Sequence, residues 1–178
     1  MQTEIIVAGY GGQGVLFGGT LLAQAAVEAG KQTTWFPSYG AEMRGGTANS
    51  TVIVSDQEIG SPLSAHPSGL IAMNGPSLRK FLPRIAPNAL VIVNSSLVTE
   101  PVTHNSAHIF TIPATTIADK EIGNVRTANL VMIGAYLKAS GLLSLEDAQK
   151  ACETVLAEKP KFIPLNRKAL ELGYRYRV

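Results

Sequence analysis

Cysteine is nearly absent from this sequence: Cys152 is the only one in 178 residues. A single thiol excludes an internal disulfide framework. It also excludes a conventional iron–sulfur site, which takes about four thiolates. The three histidines, His66, His104 and His108, show no metal-ligand spacing. Charge is sparse as well. Charged residues make up 16% of the chain, against about 25% in an ordinary soluble domain, and the formal net charge is +2. That balance leaves no footprint for nucleic acid. The one basic concentration, Arg167, Lys168, Arg175 and Arg177, reads as a solvated helix face. No apolar run reaches the roughly 18 residues of a transmembrane helix, so no membrane partner is expected. Residues 1–4 run into an apolar strand without a basic n-region. No signal peptide is therefore expected, and the cytoplasm is the expected compartment.

Apolar residues, in contrast, are plentiful at 46%. A chain of this length buries roughly 70% of its unfolded surface, enough to fold as one domain over residues 1–178 without disulfide or metal. The apolar, charge-poor composition fits either a large core or a core with broad partner-facing surfaces.

The pattern along the chain alternates strands and helices. Residues 4–8 (EIIVA) read as a buried parallel strand. A helix rich in Gly and Ala follows over 12–29, closed by Gly30; its small residues suit close approach to a sheet or another chain. A second strand spans 33–36 and is expected to stop at Pro37, leaving 37–46 as a loop. A third covers 47–55, with Asp56-Gln57 turning the chain into an antiparallel return through Ile59. Residues 70–73 form the next strand, and Asn74-Gly75-Pro76 starts a helix whose buried face is Leu78, Phe81, Leu82 and Ile85. Strands follow at 89–93 and 108–112. A helix over 127–137 is apolar on nearly every face and is expected to be covered all round. Ser144 and Asp147 form a capping box for the next helix, whose apolar stripe includes Cys152, expected as a small core residue. The last helix covers 165–176. This order predicts an α/β, Rossmann-like three-layer sandwich with a mostly parallel sheet and C-terminal helices.

The first strand runs into Gly9-Tyr10-Gly11-Gly12-Gln13-Gly14, a G-x-G-x-x-G in a strand–turn–helix context. Free N–H groups at the helix start can receive an anion. A dinucleotide site also needs an acid at the end of the second strand to hold the ribose. That strand ends in Trp35-Phe36-Pro37-Ser38, with no acid there. Three readings stay open at this point: an NAD(P)-binding dehydrogenase or nucleotide-sensing domain, a glycine turn that only permits close packing, and a turn facing an anion or cofactor fragment presented by a partner or substrate. A second loop carries Tyr39, Glu42, Arg44, Gly45 and Gly46. It follows another strand end, so both loops are expected on one edge of the sheet. Arg44 is a fixed cation able to bind carboxylate or phosphate, and the paired glycines let another chain come close.

The segments GYGGQGV, SYGAEMRGGTANSTVIVS, IAMNGPSLRKF, VNSSL and GNVRTANLVMIGAYL, with the tail NRKALELGYRY, resemble the gamma subunit of 2-oxoacid:ferredoxin oxidoreductases over most of the chain. The version here resembles the 2-oxoglutarate or branched-chain 2-oxoacid forms more than the pyruvate or indolepyruvate forms. The resemblance implies a subunit that is inactive alone. It implies oxidative decarboxylation of a 2-oxoacid, with 2-oxoglutarate expected, to an acyl-coenzyme A, with reduction of ferredoxin. Thiamine diphosphate, its magnesium and the iron–sulfur clusters are implied in partner subunits (alpha, beta and a ferredoxin-like delta), ferredoxin is an indirect partner, and coenzyme A is the co-substrate. This chain is then expected to hold no cofactor or metal alone and to supply no catalytic residue of its own. Gly9, Gly11, Gly12, Gln13, Gly14, Tyr39, Glu42, Arg44, Gly45 and Gly46 are expected to line the face turned to the thiamine and coenzyme A pocket. A purely structural scaffold subunit is the remaining alternative.

Overall fold

The computed structural model describes residues 1–39 and 47–177, with Tyr39 described by its backbone. Six strands form one sheet in the order β2-β3-β1-β4-β5-β6: β1 (Gln2–Tyr10), β2 (Gln32–Tyr39), β3 (Thr47–Ser55), β4 (Gly69–Ala72), β5 (Ala89–Asn94) and β6 (Ala107–Ile112). β1, β4, β5 and β6 are parallel. β3 runs antiparallel to both β1 and β2, so β2 points the same way as β1 without touching it. The mostly parallel α/β sheet expected from the alternation is what the chain forms.

Side-chain alternation explains the apolar runs. Ile5 and Val7 of β1 face one layer, with Val52, Val54, Ile71, Met73, Ile92 and Ile112. Ile6 and Ala8 face the other, with Leu70, Ala72, Val91 and Val93. A strand buried on both sides reads as a continuous apolar run. The first layer is built by α1 (Val15–Glu28), α4 (Ala128–Ser140), α5 (Leu145–Val155) and α6 (Ile163–Arg175). The second is built by α2 (Gly75–Phe81) and the segment that follows β5. A short helix, α3 (Ala114–Ile117), continues into a wide π turn over Ala118–Ile122, and the pair joins β6 to α4.

Several expectations hold in detail. Residues 128–137 of α4 are all buried, because the helix lies between the sheet and α6. Gly141 ends it in the left-handed conformation. Ser144 and Asp147 form the capping box of α5, with Asp147 N–H donating to Ser144 Oγ at 3.0 Å. The small residues of α1 do permit close approach: a Cβ on Gly19 would lie 2.8 Å from the Ser50 Cβ of β3 and from Trp35 Nε1.

Three expectations are corrected. Pro37 does not stop β2, which continues to Tyr39. β2 is an edge strand, where a proline removes no ladder bond if its nitrogen faces outward. Residues 56–68 make no return strand through Ile59; the chain crosses to β4 in bends. The helix after β4 ends at Phe81 and tightens to a 3-10 turn over Leu82–Arg84, so Leu82 is only partly buried. Pro83 lacks the N–H that an α-helical continuation would use. No helix among the described residues is long and apolar enough to cross a membrane.

Candidate functional site at the glycine-rich turn

α1 and α2 leave the sheet on opposite faces. α1 packs with Ile5 and Val7 and leads away to β2, whereas α2 packs with Ile6 and Ala8 and leads to β5. The crossover direction therefore reverses between β1 and β4, and the C-terminal ends of these neighbours flank a topological switch point. Open α/β sheets bind ligands at such a crevice.

The glycine-rich turn forms one lip. The Gln13 N–H donates to the Tyr10 carbonyl at 3.1 Å and closes the turn after β1. Gly12 (φ 94°) and Gly14 (φ 69°) are left-handed, a region that favours glycine. Gly9 is packed: a Cβ there would lie 2.7 Å from Gln13 Oε1 and 3.0 Å from the Met73 Cβ at the end of β4. Gly14 caps α1 without a side-chain hydrogen bond, so among the described residues the first-turn amides of this 14-residue helix have no side-chain cap. Gly11 and Gly12 are exposed.

Side-chain amides tie this turn to its neighbours. Gln13 folds back so that Oε1 accepts the Tyr10 N–H at 2.7 Å and Asn74 Nδ2 at 2.7 Å. Asn74, the first residue after Met73, is buried and caps α2 by accepting the Ser77 N–H at 2.9 Å. Asn94, at the end of β5 and fully buried, donates to the Met73 carbonyl at 3.2 Å and to Thr115 Oγ1 at 2.9 Å, just beyond β6. Asn129 of α4 donates to the Gly14 carbonyl at 2.8 Å. A string of amides thus joins the ends of β1, β4, β5 and β6. Buried polar groups of this kind need their partners, because each one lost costs about 1–3 kcal/mol.

The crevice itself, about 430 Å³, is lined by Tyr10 and Gln13 from the turn after β1, by Asn74, Gly75, Pro76 and Arg79 from the start of α2, and by residues 97–100 from the segment after β5. Arg79 supplies a guanidinium and Glu100 a carboxylate, and the two form no ion pair with each other. Pro76, Leu97 and Val98 add apolar wall.

Of the residues expected at the site, Gly9, Gly11, Gly12, Gln13 and Gly14 come together at this lip. Tyr39 is the last residue of β2; it pairs with Ala48 while Tyr10 pairs with Thr47, so the ends of β1 and β2 share one edge of the sheet. The side chain of Tyr39, and Glu42, Arg44, Gly45 and Gly46, lie outside the described residues. Asn74, Arg79, Asn94 and Asn129 belong to the site although sequence reasoning did not assign them. Asn before Gly-Pro is a helix-cap signal, but its second bond, to a residue 61 positions earlier, has no sequence signal.

The dinucleotide reading loses support here. Its ribose-binding acid stands at the end of a parallel strand adjacent to β1. The strand beside β1 on that side is the antiparallel β3, which puts the end of β2 two strand spacings away, roughly 10 Å. No group of three or more metal-ligating side chains occurs among the described residues.

Known proteins define the class first. The chain resembles the gamma subunit of a keto/oxoacid ferredoxin oxidoreductase from Geobacter sulfurreducens, with a TM-score of 0.82, 33% identity, and coverage of 97% of this chain and 96% of that one. The chain belongs to the pyruvate ferredoxin/flavodoxin oxidoreductase family, whose model matches residues 4–176. It is 38% identical over 174 residues to the ketoisovalerate oxidoreductase subunit VorA of Methanothermobacter thermautotrophicus, which covers 97% of this chain but 36% of that protein. It is 36% identical over 157 residues to the 2-oxoglutarate synthase subunit KorC of Methanothermobacter marburgensis, covering 85% of this chain and 84% of that one. The chain spans little more than a third of the VorA relative.

Proposed function

We propose that this chain is the gamma subunit, a single gamma-type domain, of a thiamine-diphosphate-dependent 2-oxoacid:ferredoxin oxidoreductase. The reaction is oxidative decarboxylation of a 2-oxoacid, with 2-oxoglutarate as our reading, to an acyl-coenzyme A, the electrons passing to ferredoxin. The similarity to VorA favours a branched-chain 2-oxoacid as the second reading. The observation that carries the proposal is the uncapped glycine turn at the switch point, braced by amides from the neighbouring loops, in a chain matched to the family along almost all of its length.

Thiamine diphosphate with its magnesium, and the iron–sulfur clusters, belong in this reading to the alpha, beta and ferredoxin-like delta subunits. With one cysteine, this chain has too few thiolates to ligate a cluster itself. Its own residues shape and cover the shared site: Gly9 and Gly11 to Gly14, with Tyr39, Glu42, Arg44, Gly45 and Gly46, line the face turned to the thiamine and coenzyme A pocket. The cytoplasm is the compartment.

Co-expression with thiamine-binding and ferredoxin-like partners tests this. The tagged chain should bring down a brown complex that reduces ferredoxin when given 2-oxoglutarate and coenzyme A, while the chain alone is colourless and inactive. A chain that associates with no such partner, or one that binds NAD(H) at micromolar concentration, overturns the reading. In the assembled complex, Arg44→Ala should raise the Michaelis constant for coenzyme A or lower turnover. An unchanged intact complex would favour a purely structural scaffold.

A further inference from the structure

The hydrogen bonds around Gln13 fix the chemical sign of the crevice. A backbone N–H can only donate. The Ser77 N–H therefore identifies the Asn74 atom it meets at 2.9 Å as the carbonyl oxygen Oδ1, and the other end of that amide is the Nδ2 donor. Nδ2 lies 2.7 Å from one atom of Gln13, and the Tyr10 N–H lies 2.7 Å from the same atom. Two donors converge there, so it is Oε1, and the opposite end of the Gln13 amide is Nε2. That end has no partner among the described residues, and Gln13 lines the crevice. Turning the amide over would set its NH2 against two donors, at the cost of two hydrogen bonds. The helix cap thus dictates the polarity of Asn74, and Asn74 dictates the polarity of Gln13.

We propose that Asn74 is a positioning residue that locks Gln13 with its Nε2 donor turned into the crevice, so that the crevice binds an oxygen acceptor, a phosphate, carboxylate or carbonyl. Arg79, which lines the same crevice, has the same preference. Glu100 lines the same crevice and disfavours anionic charge brought close to its carboxylate. Pro76, Leu97 and Val98 hold the apolar part of such a ligand. Within the complex proposed above, the acceptor is an oxygen of substrate or coenzyme A; that clause rests on the functional reading, whereas the polarity of the crevice does not.

Two substitutions separate the lock from the donor. In Gln13→Glu one carboxylate oxygen still accepts from Tyr10 and Asn74, so the turn is held, while the crevice-facing group changes from donor to acceptor. In Asn74→Asp the cap of α2 survives, because a carboxylate still accepts from Ser77, but the donor to Gln13 is gone. The full chain is followed by NMR, with inorganic pyrophosphate as the probe and ammonium chloride as the control. The wild-type Gln13 side-chain NH2 signals should shift with pyrophosphate and not with ammonium. Gln13→Glu should bind pyrophosphate at least about tenfold more weakly, with Tyr10 amide exchange within about threefold of wild type. Asn74→Asp should speed Tyr10 exchange by at least about tenfold at an unchanged content of helix. Equal Tyr10 exchange in wild type and Asn74→Asp overturns the lock. Equal pyrophosphate affinity in wild type and Gln13→Glu, or no shift in the wild type, overturns the donor. None of these readouts uses turnover, so failure of the proposed activity is distinguishable from failure of this inference.

Discussion

Asp56 shows how a single side chain writes itself into the pH dependence of the fold. Lys31 Nζ donates to its carboxylate at 2.6 Å and the terminal ammonium at 2.9 Å, and these contacts hold the Asp56 pKa at about 2, below the usual 3.8. A depressed carboxylate pKa stabilises the fold above the unfolded value, and the contribution fades as pH falls through the folded one. The midpoint difference between wild type and Asp56→Asn in urea titrations should therefore be full above pH 3.8 and vanish toward pH 2. Because the carboxylate is exposed, added salt should shrink it at every pH. Cys152 makes the opposite kind of prediction. Burial, with Glu153 adding to it and Arg167 opposing it, pushes its thiol up to about 12 from 9.0. That leaves roughly a thousandfold less thiolate at neutral pH, so Ellman's reagent should react with native chain orders of magnitude more slowly than with unfolded chain. The burial of Cys152 and the Ser144–Asp147 box were legible in the sequence because both are set within one helix. The amides were not: Asn74 meets Gln13 across 61 residues and Asn129 meets Gly14 across 115, and no local pattern encodes those meetings.

At the scale of elements, the C-terminal helices are held by backbone contact. Gly134 of α4 faces the Leu170 carbonyl and the Tyr174 amide nitrogen of α6, the latter 2.8 Å from where a Cβ would stand. Gly173 of α6 answers it, facing the Val131 carbonyl and the Ala135 nitrogen of α4, the latter at 3.0 Å. Each helix presents a glycine where the other's backbone passes. Gly173→Ala should then destabilise by about 2–3 kcal/mol, the cost of forcing extra volume into a packed contact. That would appear as a lower urea midpoint with an unchanged slope. The same change at Gly141, whose Cβ would meet nothing within 4 Å, should show only the milder strain of a left-handed backbone. The sequence identified α4 as a helix covered on every face but not what covers it, since the matching glycine lies 39 residues on in a helix that reads as merely amphipathic. The elements it misjudged follow the same logic. Pro37 is tolerated because β2 is an edge, and edge position is a property of the finished sheet.

For the whole molecule, strand order decides what the glycine turn can do. Alternating strands and helices announce a parallel sheet, but nothing local shows that β3 slips antiparallel between β1 and β2. That insertion weakens the dinucleotide reading of a motif that looks like one in the sequence. It leaves the switch point between β1 and β4 as the place where loops from separate parts of the chain converge, and among the described residues Arg79 is the cation that lines it. A fold of this kind should be sensitive to charge at that crevice and indifferent to charge on the helical layer farther back. Lys150 on α5 is a fitting control: it is exposed and pairs with Glu146, one turn away at 2.9 Å, an interaction worth about 0.3–0.5 kcal/mol. In the assembled complex, Arg79→Ala should raise the Michaelis constant for 2-oxoacid or coenzyme A by about tenfold, the loss of one charge-assisted hydrogen bond of about 1.5 kcal/mol. Lys150→Ala should change neither constant by more than about twofold. Steady-state kinetics on complexes of equal subunit content decide it. Equal effects from both substitutions would mean that the crevice is not where this chain meets the reaction.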